Sequence, residues 1–308
     1  MASDVSTTIV SASDAGYFDL LQGLVRSLRA GAGDRRFALS ILDLGLAEEQ
    51  RRWLADSGAA LERPGWDLDF PGRALLPEHY KAMAARPYLP RHFPGYDVYL
   101  WIDADAWVQD RAVLDIFIRA AWRGQLAIVP EIDRGYWTIH KRPKRWGQNQ
   151  KAFAWAYGLG AGYRFGRNAI LNVGAFALKR DAPHWRLWAE AHARALRRPR
   201  LFRKPDLGNQ SFFLSEQTAL NHVVYAEGAP ATFLPAYCNW FCGKGTPMYD
   251  DERHLLVEPH EPHHPLGIVH LAGAGMKERL WRLATLAGGS VETKLTYEAV
   301  QALAAPFP

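Results

Sequence analysis

The stretch YDVYLWIDADAWVQD, residues 96–110, places two carboxylates where a buried strand should end. Its apolar run from Val98 to Ile102 is continuous rather than alternating, which suits a strand covered on both faces. Asp103 and Asp105 follow at i and i+2, so in an extended chain they point to the same side. At the carboxyl end of a parallel strand, that side faces the crevice where α/β proteins bind ligands. Two like charges repel there, and desolvation pushes one toward protonation. A hard divalent cation, Mn2+ or Mg2+, relieves both problems and shares its remaining positions with substrate phosphates. The plain alternative is a polar strand-end turn with solvated aspartates, and a bare D-x-D does not decide between the two.

The surrounding chain supports a sheet. STTIVSAS (6–13) and FALSILDL (37–44) read as strands, and GYFDLLQGLVRSLRA (16–30) has helical apolar spacing. A helix over 46–58 closes at Gly58, ALERP (60–64) is a short third strand, and a helix-turn segment over 77–93 leads into the strand at 97–102. Further strands are expected at 125–130, 170–178 and 266–271, and helices near 183–197 and 214–226. This alternation predicts an α/β protein with a parallel, doubly wound sheet flanked by helices. Residues 131–169, irregular, basic and rich in Gly and Trp, read as a mobile loop region. HEPHHP (260–265), with two prolines, reads as a stiff surface loop rather than a metal cluster.

With 308 residues, 48% hydrophobic and 22% charged, the chain has the make-up of an ordinary globular protein of one large domain or two smaller ones. No apolar run approaches the roughly 20 residues of a membrane span, and the N-terminus lacks the pattern of a secretory signal. Two cysteines, Cys238 and Cys242, do not make a disulfide framework, so a cytoplasmic location is expected. The net charge of +5 comes from blocks, HKRPKRWGQNQK (140–151) and RALRRPRLFRKP (194–205), which leave peripheral contact with an anionic membrane open. A nucleic-acid-binding module would need aromatic–basic strands or a recognition helix, and the basic blocks carry neither signature, so no nucleic acid partner is expected. A nucleotidyltransferase should carry a Gly-rich phosphate loop after the first strand, and SASDAGYFD has a single glycine.

The D-x-D strand is one of five elements that together resemble glycosyltransferase family 8. VYLWIDADAWV is similar to the family's apolar strand and D-x-D, and ILNVGAFALKR (170–180) to its N-x-G strand. SEQTALN (215–221) resembles its D-Q-x-x-L-N helix with Glu216 in place of Asp, and IVHLAGAGMK (268–277) resembles its H-x-x-G-x-x-K element. SASDAGYFDLL matches its first strand and helix. In order, these elements span roughly residues 8 to 277. The resemblance implies a single GT-A domain over 1–308, with a nucleotide-binding part at about 1–110 and a sugar and acceptor part at about 111–308. It implies transfer of glucose or galactose from a UDP-sugar to an acceptor hydroxyl with retention, the acceptor being a glycan, a lipid-linked precursor or a protein.

The resemblance also implies roles. Asp103, Asp105 and His270 would hold the metal. Asp14 and Tyr17 would bracket the uracil, and either Lys81 or Arg86 would reach the diphosphate or the sugar. Asn172 and Gly174 would meet the sugar, the missing Cβ letting the ring approach backbone, with Asn239 a further candidate. Lys277 would neutralise the leaving diphosphate, although it follows His270 by seven residues where the pattern has six. Gln217 would lie beneath the anomeric carbon, with Glu216 and Asp133 on sugar hydroxyls; a double displacement would make Glu216 the nucleophile. The altered lysine spacing keeps a second reading, a degenerate protein that binds sugar nucleotides without turnover.

Overall fold

The computed structural model describes residues 5–30, 37–140, 147–198, 210–273 and 275–304. Strand β1 (Thr7–Ser13) leads through α1 (Phe18–Arg29), β2 (Ala38–Asp43) and α2 (Glu48–Asp56) to β3 (Ala59–Glu62). Two short helices, α3 (Lys81–Ala85) and α4 (Leu89–His92), deliver the chain to β4 (Val98–Ile102) and, across a turn, to β5 (Ala106–Val108). Then come α5 (Ala112–Trp122), β6 (Leu126–Pro130), α6 (Gln148–Tyr157), α7 (Leu159–Phe165) and β7 (Leu171–Lys179). Helices α8 (His184–Arg197), α9 (Gln210–Phe213) and α10 (Ser215–Tyr225) precede β8 (Ala231–Phe233) and β9 (Trp240–Phe241). The chain ends with β10 (Met248–Asp250), β11 (Leu255–Val257), β12 (Ile268–His270), β13 (Trp281–Ala284), β14 (Ser290–Thr293) and α11 (Tyr297–Leu303).

The central sheet has the order β3-β2-β1-β4-β7-β6-β8, so the α/β architecture with a mostly parallel, helix-flanked sheet holds. It is not wholly parallel. β7 runs against both β4 and β6, and this reversal places its first residues beside the last residues of β4. All five residues of β4 are buried, as a two-faced strand requires. Val98, Leu100 and Ile102 face one core with α1 and α5, while Tyr99 and Trp101 face the other with α8 and α10. β12 lies in a separate sheet of order β5-β12-β9, where its antiparallel pairing sets His270 opposite Ala106.

Residues 131–169 are not a continuous loop. Gly158, at a φ of 102° that favours glycine, separates α6 from α7, and α6 buries Ala152, Phe153 and Ala156. Short helices broken by glycine lack the long apolar period that marks a helix in sequence, which is why the segment read as irregular. Residues 141–146 and 199–209, the centres of the two basic blocks, lie outside the described residues.

Leu100, with no exposed surface at the middle of the central sheet, is the test of this core. Leu100→Ala should lower the unfolding free energy by about 2–5 kcal/mol in chemical denaturation, because the helices on that face cannot collapse into the void.

Candidate active site

The turn after β4 carries the two aspartates. Asp103 Oδ1 accepts from the Trp101 indole N–H at 2.7 Å and from Arg86 Nη2, so only Oδ2 remains free on that carboxylate. Oδ2 faces His270 Nε2 at 3.9 Å, and Asp105 Oδ1 faces the same nitrogen at 3.4 Å. The Asp105 carbonyl accepts from Leu271 N–H at 2.9 Å, which locks the turn to the end of β12. Burial opposes the charge of Asp105, but His270 and Lys277 outweigh it and hold the carboxyl below its ordinary value.

The orientation of the His270 ring follows from a chain of hydrogen bonds that starts at a backbone group. Gly174 N–H donates to Asn172 Oδ1 at 2.7 Å, which fixes the orientation of that amide. Asn172 Oδ1 then takes the Asn239 amide nitrogen at 3.3 Å, turning Asn239 Oδ1 toward His270 Nδ1 at 3.0 Å. His270 therefore donates from Nδ1 to Asn239 and turns Nε2 toward the two carboxylates. Asp103, Asp105 and His270 offer three ligand atoms within 4.8 Å of one another, and two carboxylates with one imidazole suit a divalent cation such as Mn2+. Asn239, a further candidate for the sugar from sequence, is fully buried and is an outer partner of His270.

Gly174 has a different reason to be glycine from sugar approach. A Cβ there would come within 2.8 Å of both Asn172 Oδ1 and Asp103 Oδ2 and would collide with the His270 ring. The missing side chain makes room for the His270 ring and Asp103.

Next to the aspartates sits a buried ionic chain. Arg86 stacks on the Trp101 ring, 4.4 Å from its centroid, and donates from Nη1 to Glu216 Oε2 at 2.7 Å. Burial works against its charge, but Asp103 and Glu216 outweigh it and raise its pKa. Glu216, 2% exposed, has its carboxyl pushed up to about 7 by burial, against the downward pull of Arg86, and its Oε1 has no hydrogen-bond partner among the described residues. Asn221 places Glu216 and Gln217 by binding both backbone groups of Leu171 at 2.8 Å, which pins α10 to the start of β7. Gln217 Oε1 accepts from Asn172 Nδ2 at 3.2 Å and from Val173 N–H at 3.3 Å.

Of the two basic candidates, Arg86 lies at the aspartates, while the Lys81 ammonium pairs with Glu78 at 2.6 Å. Asp14 caps the turn before α1, its Oδ1 accepting from Gly16 and Tyr17 N–H at 3.0 Å each. Tyr17 is 47% exposed, and Lys277 Nζ stands 3.2 Å from the centroid of its ring. Asp133 is not in this cluster; its Oδ1 binds Gly135 N–H at 2.7 Å and the His260 ring at 2.8 Å. The acidic position beside Asn172 belongs to Glu131, whose Oε1 accepts from Asn172 Nδ2 at 2.9 Å while Oε2 pairs with Lys244. Sequence reasoning missed both. Glu131 had a signal, since it directly follows a predicted strand, whereas Lys244 had none.

No model of a known protein family matches the chain, and no curated protein matches it. Among solved structures it is similar to the galactosyltransferase LgtC in complex with donor and acceptor sugar analogs, over 98% of this chain and 97% of that one, at 14% identity and a TM-score of 0.55. An active-site mutant of LgtC aligns over 86% of this chain and 87% of its own, at 15% identity and a TM-score of 0.50. The apo structure of the bifunctional glycosyltransferase WbbM aligns over 79% of this chain and 41% of its own, at 14% identity and a TM-score of 0.51. The fold is that of the GT-A glycosyltransferases. No helix among the described residues is long and apolar enough to cross a membrane.

Two outcomes test this geometry. 15N NMR should show a proton on His270 Nδ1 held by Asn239; Asn239→Ala should release the ring's orientation and weaken Mn2+ binding, read by EPR, about 10–100-fold. Glu216 keeps its proton in the folded chain from its ordinary 4.5 up to about 7, while the unfolded carboxyl ionises. Stability should therefore fall by up to about 3 kcal/mol as pH rises through that window, and Glu216→Gln should flatten the slope in denaturant titrations at several pH values.

Proposed function

We propose that the chain is a metal-dependent hexosyltransferase of the glycosyltransferase family 8 kind, moving glucose or galactose from a UDP-sugar to an acceptor hydroxyl with retention of configuration. The observation that carries this reading is the convergence of Asp103 Oδ2, Asp105 Oδ1 and His270 Nε2 at the carboxyl edge of a GT-A sheet. Bound there, Mn2+ would join the donor diphosphate to the protein and take up charge as it leaves.

The chain's own residues would do the rest. The exposed ring of Tyr17 offers a face to the base, and Asp14 keeps Oδ2 for a base N–H while Oδ1 caps the helix. Lys277 stands between this ring and Asp105, within reach of a diphosphate spanning the two. Both Arg86 Nη groups are committed to carboxylates, so Arg86 shapes the sugar pocket and leaves phosphate to Lys277. Glu216 Oε1, buried and without a partner among the described residues, is an acceptor for a sugar hydroxyl. Gln217 commits its carbonyl to β7, which leaves its NH2 group to serve under the anomeric carbon of a bound donor.

Glu131 has no free oxygen, and Glu216, open only at Oε1, is held through Oε2 by Arg86. Glu131 is bound to Lys244 and Asn172, and Glu216 to Arg86, which favours same-face attack by the acceptor over a covalent intermediate. The acceptor has room in a cleft of about 720 Å3 at the carboxyl ends of β6 and β8, lined by Pro130, Pro235 and Tyr237 among others. Intact metal-site donors count against a degenerate binding protein.

The test is nucleotide release across a panel of sugar nucleotides. UDP should appear with one hexose donor in Mn2+, stop with chelator, and fall at least 100-fold in Asp105→Ala. NMR of an early reaction mixture should show an α product from an α-linked donor, whereas a β product overturns retention. Release from no donor, together with UDP affinity indifferent to Mn2+, would remove the transferase reading.

A further inference from the structure

The second cluster of ligand-type side chains stands on the acceptor cleft, in the segment whose prolines suggested a plain surface loop. Asp133, Glu258 and His260 offer donor atoms within 4.8 Å of one another, and they share no residue with the aspartate site. Asp133 and Glu258, together with His264, line the cleft.

The hydrogen bonds assign the nitrogens of His260. Asp133 Oδ1 accepts from the Gly135 N–H at 2.7 Å and from His260 Nε2 at 2.8 Å. A carboxylate oxygen held by a backbone donor acts as an acceptor, so Nε2 carries a ring proton and Nδ1 is the nitrogen open to a metal. That Nδ1 is buried and has no hydrogen-bond partner among the described residues. It faces Glu258 Oε2 at 3.8 Å, too far for a hydrogen bond. Glu258 is 5% exposed, and its carboxylate makes no hydrogen bond among the described residues. Burial pushes this carboxyl above its ordinary value.

A divalent cation seated between His260 Nδ1 and Glu258 Oε2 would give both atoms a partner. The separation suits one. With metal–nitrogen and metal–oxygen bonds of about 2.1 Å, donors 3.8 Å apart subtend about 130° at the ion, and a shift of a few tenths of an ångström reaches the tetrahedral angle. The Asp133–His260 bond supplies the outer carboxylate that orients a metal-bound imidazole. The cleft gives the ion an entry path and supplies water for its remaining positions.

We propose that Glu258 and His260, oriented by Asp133, form a second divalent-metal site on the acceptor cleft, with Zn2+ as the ion its imidazole and carboxylate donors favour. The site stands on its own geometry, and only the naming of the cleft after an acceptor rests on the sugar-transfer reading. It would also tie the loop after β6 to the loop after β11, the two walls of the cleft.

The test uses the full chain with Asp105→Ala, which disables the first site, stripped with chelator and titrated with Zn2+ by calorimetry and with Co2+ by visible absorption. One ion per chain should bind, with the intense d–d bands of tetrahedral Co2+. Glu258→Gln and His260→Asn, folded by their melting curves, should each weaken Zn2+ binding at least tenfold, and Asp133→Asn about 10–100-fold. Should either of the first two fail to fold, the other variant and the Co2+ spectrum carry the test. No ion bound below millimolar Zn2+, or affinity unchanged in Glu258→Gln, overturns the proposal and leaves His260 as an imidazolium held between two carboxylates.

Discussion

The Asp103 N–H donates to the Gly174 carbonyl at 2.8 Å, and the rest of the site hangs from that bond. It continues the antiparallel pairing of β4 and β7 one step beyond Ile102 and Ala175. In a wholly parallel sheet, the neighbour of β4 would present its carboxyl end there. The reversed β7 presents its beginning instead, so Asn172 and Gly174 stand beside the aspartates. Asn221 then fixes α10 to Leu171, and the pairing of β12 with β5 brings His270 in from the other side. The first charged residues after β4 thus meet groups from three distant parts of the chain through main-chain geometry.

Charge balance at this place is uneven in a useful way. Asp103, Asp105, Glu131 and Glu216 bring four carboxylates, while Arg86 and Lys244 are the cations bound directly to them. A buried ion pair contributes little net stability, because desolvation offsets the Coulomb gain, and breaking one is costly. The pairs here serve to hold carboxylate oxygens in place and leave one face of the cluster negative. That surplus is what a divalent cation and its diphosphate would complete.

The sequence disclosed those parts that depend on local pattern. The continuous apolar run of β4, the strand with Asn172 and Gly174, the helix with Gln217 and the strand ending at His270 were each readable from period and neighbours. What it could not disclose depends on pairing direction and on side chains that turn. Glu131 and Asp133 sit two residues apart after the same strand, and only the backbone after Pro130 decides that Glu131 meets Asn172 while Asp133 turns to His260. Lys81 and Arg86 were equivalent as letters on a helix-turn segment; Glu78, one turn before Lys81, claims the first and leaves the second for Asp103. Asn239 was visible only as a polar residue after a strand, and its position between Asn172 and His270 needs three elements assembled at once.

The contact between Lys277 and Tyr17 links two events that are usually treated separately. The ammonium lies on the ring face, 3.2 Å from its centroid, where it gains from the aromatic quadrupole and feels Asp105. A nucleobase that stacks on this face must displace the ammonium, and the displaced group sits on a flexible stem beside the place a diphosphate would occupy. Arrival of the base would then release the cation that the phosphates need. A free phosphate or a sugar phosphate without a base would have to draw the lysine off the ring unaided. Selectivity for a whole nucleotide over its fragments would then come from one shared, movable charge.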